Sequence, residues 1–373
     1  MTVLTPLDAE TRSIVDATLE RFVDDQYQPA PRLARLRLPA VDYRQHWGAL
    51  AALGILGTTF PESLGGLGGC AVDVAHTVRV LSRALVLEPL VECAVIAASI
   101  LAAASDNPDH RKHVDALASG ELVTILLGGR PGMGDALRCH ARSDAYVLSG
   151  ALRVVAYAQQ ADQWLVAARD SASGETVIFR MGPQSTTWAG GSYRLLDGHP
   201  ACDITFHDLL VPTSSVWLTG RAADVALERA ALLAIAAYGA ETAGILAQLV
   251  SMTGSYLTTR VQFGVALSNF QALQHRYADM HIEALECGAL TRAFAAAIDR
   301  SDEAHLSRLR LAVRISAAHA SERVGQEAIQ MHGGTGLTEE LVVSHYNARL
   351  LVLAGLVAAW TPAAIADVAE ASL

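Results

Sequence analysis

Residues 326–336 read Gln326-Glu327-Ala328-Ile329-Gln330-Met331-His332-Gly333-Gly334-Thr335-Gly336, a helical segment that ends in a glycine turn. Glycine often ends a helix because it adopts a left-handed backbone without steric cost. The lack of a side chain also lets backbone N–H groups come close to a bound phosphate. The stretch that follows, residues 341–366, contains no Asp or Glu. A glycine turn suited to phosphate is therefore followed by a segment without any acid.

The composition is apolar for a chain of 373 residues, with 51% hydrophobic and 18% charged residues. A chain of this length has room for one large domain or several modest ones. Its apolar composition suits buried helices and contacts between subunits. The net charge of −10 and the lack of a basic tract argue against a nucleic acid partner. The longest apolar run, residues 350–360, is shorter than the roughly 20 residues that span a bilayer, so no membrane partner is expected.

The cysteines predict reduced thiols. Their number is odd, and none has the CxxC or Cys/His spacing of a metal site, so no metal is expected. Residues 1–10 contain two acids and lack the basic segment of an export signal, which favours a cytoplasmic location. The five cysteines are Cys70, Cys93, Cys139, Cys202 and Cys287.

Three segments differ in their residue patterns. Residues 1–120 are helical in pattern: apolar residues recur at helical spacing near 47–56, and 74–104 is again helix-like, with a glycine-rich break at 60–69. Residues 121–218 contain short β-prone runs at 123–127, 145–148, 163–167 and 177–180, separated by turn signals. Residues 219–373 are helical again. This order predicts an α+β protein, with helical domains on either side of a β-barrel-like middle domain.

The last segment predicts a four-helix bundle. Two alanine-rich stretches, 225–259 and 270–300, carry apolar stripes at helical spacing. A third helix is predicted over 302–331, and the apolar run that begins at 350 supplies the fourth.

Two C-terminal motifs carry a resemblance to a known family. Arg260-Val261-Gln262-Phe263-Gly264, followed by Asn269-Phe270-Gln271, is similar to the R-x-Q/T-F-G segment of acyl-CoA dehydrogenases. Gln330 with Gly333 and Gly334 resembles the flavin-binding turn of the same family. The helical–β–helical order agrees over nearly the whole chain. The resemblance implies the acyl-CoA dehydrogenase fold and FAD as cofactor.

The resemblance also implies roles for these residues. A guanidinium such as Arg260 pairs well with a pyrophosphate, and an aromatic ring such as Phe263 offers a flat apolar contact. In the family these segments reach the flavin of the neighbouring subunit across an interface. Each motif alone is also compatible with an ordinary helix end, surface charge or core aromatic. The predicted FAD-contacting residues are Arg260, Gln262, Phe263, Phe270, Gln271, Gln330, Gly333 and Gly334.

The middle segment departs from the family pattern. Residues 128–135 replace the family's T-E-P-x-x-G-S-D loop, and residues 150–157 replace G-x-K-x-W-I-T-N. Val154 stands in place of the tryptophan and Ala156 in place of the threonine that hold the flavin ring. Neither side chain can stack on a flavin or donate a hydrogen bond to it.

The catalytic base is missing as well. Acyl-CoA oxidation needs a carboxylate that removes the α-proton, and a glutamate in an apolar pocket suits this step. Alignment to the family places Leu356, or Gly355 after a one-residue gap, at the common glutamate position. The alternative position falls near Ala234. A gap in the alignment would place Glu228 or Glu241 at the alternative base position. Glu228 is also explained as a carboxylate that the dipole at a helix start favours.

The flavin-contacting motifs are present, whereas the base and the residues that hold the flavin ring are missing. This combination resembles the non-catalytic subunit of the α2β2 acyl-CoA dehydrogenases of actinobacterial (mycobacterial) steroid and cholesterol side-chain catabolism. The resemblance implies a heterotetramer, a dimer of heterodimers, in which a homologous catalytic subunit binds FAD and acyl-CoA. The complex is expected to convert a bulky, sterol-type acyl-CoA to its 2-enoyl-CoA and to pass electrons to an electron-transfer flavoprotein. Two alternatives stay open. One is a self-sufficient homotetrameric dehydrogenase with Glu228 as base, and the other is a flavin-free scaffold protein on the same fold.

Overall fold

The computed structural model describes residues 6–27, 29–38, 41–130 and 136–362. It contains a helical N-terminal part, a β-sheet in the middle and a helical C-terminal part, so the α+β prediction is confirmed. The domain limits at residues 120 and 218 stay predictions; the first strand begins at Thr124 and the last strand of this sheet ends at Thr219. Residues 131–135, part of the loop that departs from the family pattern, lie outside the described residues.

The N-terminal part is built from short helices. The stretch predicted as one helix over 74–104 is broken at 83–89, where Pro89 removes a backbone donor, and it resumes as a π-helix, Leu90–Ala97. The helices are α1 Ala9–Gln26, α2 Pro29–Leu36, α3 Trp47–Ala52, α4 Ala71–Ser82, α5 Ala98–Ala102 and α6 His110–Ala118.

The middle part is one eight-stranded sheet in the order β6-β7-β3-β2-β4-β5-β8, with β1 added in parallel to β4. The four predicted runs correspond to β1, β3, β4 and β5. The sequence patterns did not predict β7, because it has prolines at both ends and contains two aspartates. The structure forms this strand through long pairing with β3. The strands are β1 Thr124–Leu127, β2 Leu137–Arg142, β3 Ala145–Ala156, β4 Gln163–Asp170, β5 Thr176–Met181, β6 Ser192–Arg194, β7 Pro200–Pro212 and β8 Val216–Thr219.

The C-terminal part has the predicted four long helices. A two-stranded hairpin, β9 Val261–Gln262 and β10 Val265–Ala266, separates the first two helices. The helices are α7 Gly220–Thr259, α8 Gln271–Asp299, α9 Glu303–His332 and α10 Val343–Ala359.

Helix α7 is the central element of the protein. It is long and apolar enough to cross a membrane by composition alone, but 89% of its most apolar window is buried inside the protein, as in a core helix. Helices α4, α8, α9 and α10 all pack against it. Gly244 permits the contact with α4, because a Cβ at this position would lie 2.4 Å from the carbonyl oxygen of Arg79.

The N-terminus of α4 is capped by a carboxylate from the bundle. Asp299, the last residue of α8, accepts hydrogen bonds from the backbone N–H of Ala71 at 2.7 Å and of Val72 at 2.9 Å. These N–H groups have no partner within their own helix, and a negative charge is favoured at this helix end. Asp299 thus ties the N-terminal helices to the bundle.

We expect Asp299→Ala to lower the free energy of unfolding by about 1–2 kcal/mol, the usual cost of losing a helix cap. Urea unfolding followed by circular dichroism measures the change. Asp106→Ala, at an exposed aspartate, is the matched control and should have no measurable effect. Equal stabilities of the two variants would contradict the capping role.

Candidate functional site

A tight hairpin follows directly after α7. Phe263 and Gly264 form its turn with φ of +54° and +84°, the two positive values of a type I′ turn. Glycine, asparagine and aspartate usually occupy such positions, so a phenylalanine in the left-handed region is unusual. The side chain of Phe263 is 91% exposed and lies edge-on to Phe270, at 6.4 Å between ring centroids. This turn presents an aromatic ring to whatever lies outside the chain.

The glycine turn lies at the end of α9. Gly333 ends the helix with φ of +64°, and its N–H donates to the carbonyl of Gln330. A Cβ at Gly333 or Gly334 would meet no atom within 4 Å, so neither glycine is required by packing inside the chain. The space beside this backbone is open to another molecule.

One contact joins the two motifs. Tyr256, four residues before Arg260, stacks on His332 with 4.4 Å between ring centroids, and its hydroxyl donates to the His332 carbonyl at 3.4 Å. His332 is buried, and its Nδ1 lies 2.7 Å from the Ala328 carbonyl oxygen. Because Gly333 follows His332 directly, the ends of α7 and α9 are fixed side by side.

The structure therefore brings the predicted residues to one end of the bundle. All but half-buried Phe270 are exposed. A guanidinium, three neutral amides, an aromatic ring and open glycine backbone suit an anion joined to a flat ring system, so the side chains fit FAD as a ligand shared with a neighbour. We call this the hairpin–glycine surface: Arg260, Gln262, Phe263, Phe270, Gln271, Gln330, Gly333 and Gly334.

The residues that would hold a flavin ring within this chain offer no such chemistry. Val154 lies in a β-bulge of β3 with φ of +53°, and its N–H donates to Asp203 Oδ1 at 3.1 Å. A β-branched residue is strained in this region of backbone conformation. Ala156 is buried. The side chains at both positions are aliphatic, as the sequence indicated.

The two predicted base positions lie on the neighbouring helices α7 and α10. Helices α7 and α10 run antiparallel, since Tyr346 and Gln248 line one pocket and Arg349 binds Glu241. Continuing this register by two turns places Leu356 beside Ala234. Ala234 is fully buried, and Gly355 faces open space. Neither possible position of the base thus carries a carboxylate.

A buried ion network lies two turns away. Arg349 donates to both carboxylate oxygens of Glu241, at 2.6 and 2.9 Å, and to Asp197 Oδ2 at 2.8 Å. Asp197 also lies 3.0 Å from Nδ1 of His199. The bidentate geometry is the strongest that an arginine and a carboxylate can form. Glu241, considered as a possible base, is therefore the ion-pair partner of Arg349.

These groups occupy the interior where the three parts of the chain meet. Arg349, Glu241 and His199 line a small cavity together with Glu88 and Glu92, and the space in it open to a water-sized molecule is about 20 Å³. Apolar side chains such as Val78 and Leu81 share this lining with the charged groups, and the charged groups make it unfavourable for an acyl chain. The sequence analysis missed the network, although one signal was present: Arg349 directly precedes the apolar run of α10, and an arginine buried there requires acids as partners.

The network shifts the pKa values of its acids in opposite directions. Burial alone would raise the pKa of Asp197, but His199 and Arg349 outweigh it and hold that pKa well below its usual range. Burial raises the pKa of Glu92, and Arg349 opposes this only in part. The Tyr238 hydroxyl donates to Glu92 Oε1 at 3.1 Å. Glu92 is thus the member of the network that most resists ionisation.

Glu228, the fallback base, lies in the third turn of α7, so the explanation by a helix-start dipole is wrong. Its side chain is 54% exposed and forms an ion pair with buried Arg310 of α9. This environment differs from the apolar pocket that a thioester-oxidising base requires. Among the described residues, no group of three His, Cys, Asp or Glu side chains could hold a metal ion.

Comparison with known proteins gives consistent matches. A sequence model of the acyl-CoA dehydrogenase N-terminal domain matches residues 9–121, and one of the C-terminal domain matches residues 224–355, together about two thirds of the chain. Acyl-CoA dehydrogenase FadE27 of Mycobacterium tuberculosis is 26% identical over 316 residues, covering 81% of both proteins.

Solved structures share the fold. The ChsE4-ChsE5 complex from Mycobacterium tuberculosis contains a chain with a TM-score of 0.83 and 23% identity, covering 97% of this chain and 96% of that one. A variant of the Tcur3481-Tcur3483 steroid ACAD has a TM-score of 0.81 and 22% identity, covering 93% and 94%. At these identities the structural likeness supports the fold only.

We expect Arg349→Met to lower the free energy of unfolding by about 3–5 kcal/mol, because Glu241 then stays buried without its counter-charge and Asp197 keeps only His199 as a partner. Urea unfolding measures the loss. The double variant Arg349→Met/Glu241→Gln has one unpaired buried charge fewer and should recover part of the lost stability. Arg221→Met, at an exposed arginine, is the control. A loss equal to that of the control would rule out the network as a stabilising element.

Glu92→Gln tests the raised pKa of Glu92. A carboxyl with a raised folded-state pKa stabilises the fold fully below its ordinary value of 4.5, and this contribution is lost as pH rises towards the folded-state value. The amide of the substituted side chain would keep an acceptor for Tyr238 without titrating. The variant should therefore gain stability over the natural protein between pH 5 and pH 8, measured by urea unfolding at several pH values. A difference that is constant with pH would contradict the shift.

Proposed function

This chain belongs to the acyl-CoA dehydrogenase family, and on that premise we propose that it is the flavin-completing, non-catalytic subunit of a heteromeric acyl-CoA dehydrogenase. Members of this family bind FAD and are oxidoreductases. The observation that carries the proposal is the direction in which the hairpin–glycine surface faces. Its aromatic ring, guanidinium and glycine backbone are exposed on the surface of the chain.

The interior of the chain supports the same proposal, because it lacks the groups that an active site of its own would need. Leu356 and Ala234 occupy the base positions, and the Arg349 network fills the adjacent interior with charge. Random loss of function would affect residues that act inside and outside the chain alike. In this chain the exposed flavin-contacting residues are present, whereas the residues at the internal base positions are replaced. This difference indicates that the exposed residues were retained because they support a partner.

Each exposed residue has a defined task in this proposal. Arg260 pairs with the pyrophosphate of the partner's FAD, and the backbone at Gly333 and Gly334 approaches the same group. Phe263 covers an apolar face of the cofactor and excludes water from it. When bound, FAD supplies the acceptor for the electrons of acyl-CoA oxidation. The proton is removed by a base of the catalytic subunit.

The partner is proposed to be a homologous catalytic subunit in an α2β2 heterotetramer, with an electron-transfer flavoprotein as electron acceptor and a cytoplasmic location. Two neighbours in fold, ChsE4-ChsE5 and the Tcur3481-Tcur3483 steroid ACAD, carry paired names, and the second is named as a steroid enzyme. These names support a bulky, sterol-type acyl-CoA as the substrate and its 2-enoyl-CoA as the product.

The complex co-expressed from this chain and its catalytic partner should contain one FAD per heterodimer, measured by flavin absorbance and native mass. Arg260→Ala should weaken FAD binding by roughly ten- to a hundredfold, because a charge-assisted hydrogen bond contributes about 1.5–3 kcal/mol. Phe263→Ala should also lower occupancy without loss of stability, since the ring packs on little within the chain. Arg308→Ala, at another exposed arginine, is the control.

The two alternative functions predict different results when this chain is expressed alone or with its partner. A yellow, active homo-oligomer from this chain alone would refute the heteromer and favour Glu228 as base. Copurification of both chains without flavin would refute the cofactor role and favour a scaffold. Full FAD occupancy in Arg260→Ala would refute the role of this surface even if the heteromer forms.

A further inference from the structure

A second pocket lies among the N-terminal and C-terminal helices. Arg12 of α1, His76 and Arg79 of α4, Ala243 of α7, and Gly288 of α8 are among its lining residues, and the space in it open to a water-sized molecule is about 100 Å³. This volume is below the roughly 300–1,000 Å³ of drug-sized sites, so the pocket admits only a slender ligand. Neighbouring residues of α7 point in different directions, so Ala240 and Ala243 face this pocket while Glu241 faces the Arg349 network.

The walls of the pocket are narrow and apolar. Ala75, Ala240 and Ala243 are buried, as is Ala295 on the opposite wall, and Gly288 adds no side chain. Protein interiors are normally filled to close packing, but the small side chains of these four alanines and Gly288 leave a slot open between the four helices. Such a slot accepts an unbranched chain more readily than a ring system.

The mouth of the pocket carries unneutralised positive charge. Arg12 forms an ion pair with Asp73 at 2.9 Å, and His76 contacts Asp16. Over the residues that the structure describes, no hydrogen bond or ion pair engages the guanidinium groups of Arg79 and Arg292. In a chain with a net charge of −10, these two arginines beside one apolar slot form a localised site for an anion.

We propose that this pocket binds a single-chain carboxylate, with its carboxylate between Arg79 and Arg292 and its apolar chain in the slot. A guanidinium binds a carboxylate through two parallel hydrogen bonds, which gives the head group its orientation. Burial of the chain against alanine and glycine supplies the apolar part of the affinity. The site is separate from the hairpin–glycine surface and does not depend on flavin.

Decanoate is the probe, titrated calorimetrically into the co-expressed complex, with decanol as the uncharged analogue. We expect saturable decanoate binding with one site per copy of this chain, and decanol binding weaker by tenfold or more. Arg79→Gln/Arg292→Gln should weaken decanoate binding to a similar extent. Arg221→Gln, at an exposed arginine outside the pocket, is the charge-matched control and should leave it unchanged.

Gly288→Val tests the slot itself. An added Cβ at this position meets Ala243 at an ordinary 3.8 Å and approaches only the mobile end of Arg292, so the chain should still fold. Decanoate binding should be lost while FAD content and thermal unfolding stay unchanged, which separates this proposal from the flavin role. Equal binding of decanol and decanoate, or undiminished binding in Gly288→Val, would overturn the proposal.

Discussion

Arg349 connects all three parts of the chain through charge. Its guanidinium comes from the last helix of the bundle and binds Glu241 of α7 and Asp197, which precedes β7 in the middle part. Glu88 and Glu92 of the N-terminal part line the same cavity. A buried ion cluster is favourable only when each charge finds its partners with good geometry, so the three parts must adopt one relative arrangement.

This arrangement has a consequence for chemistry. Oxidation of a thioester requires an apolar pocket with one carboxylate whose counter-charge is not beside it. The interior of this chain instead contains several acids that share one arginine, and aliphatic residues occupy both positions of the base. Stability of the chain and an internal active site therefore compete for the same volume. In the proposed role that volume serves stability, and the residues that contact the cofactor lie on the outside.

Sequence patterns gave a correct account where the physical signal is local. The four long helices were found because their apolar stripes follow helical spacing, and four strands were found from β-branched runs. Strand β7 was missed because its prolines and aspartates weaken the local signal, while its pairing with β3 is a non-local contact. The break of the predicted 74–104 helix at Pro89 was readable in principle from the missing backbone donor.

The sequence by itself determined the family, the fold class, the residues of the hairpin–glycine surface and the absence of an acid at the base positions, because these depend on residue identity and spacing. The tertiary structure alone decided that Phe263 is exposed, that Tyr256 and His332 hold the two motifs together, and that Glu241 is bound to Arg349. These partners, separated by 76 and 108 residues, meet only when helices pack. Exposure and ionic pairing are properties of that packing and not of any local pattern.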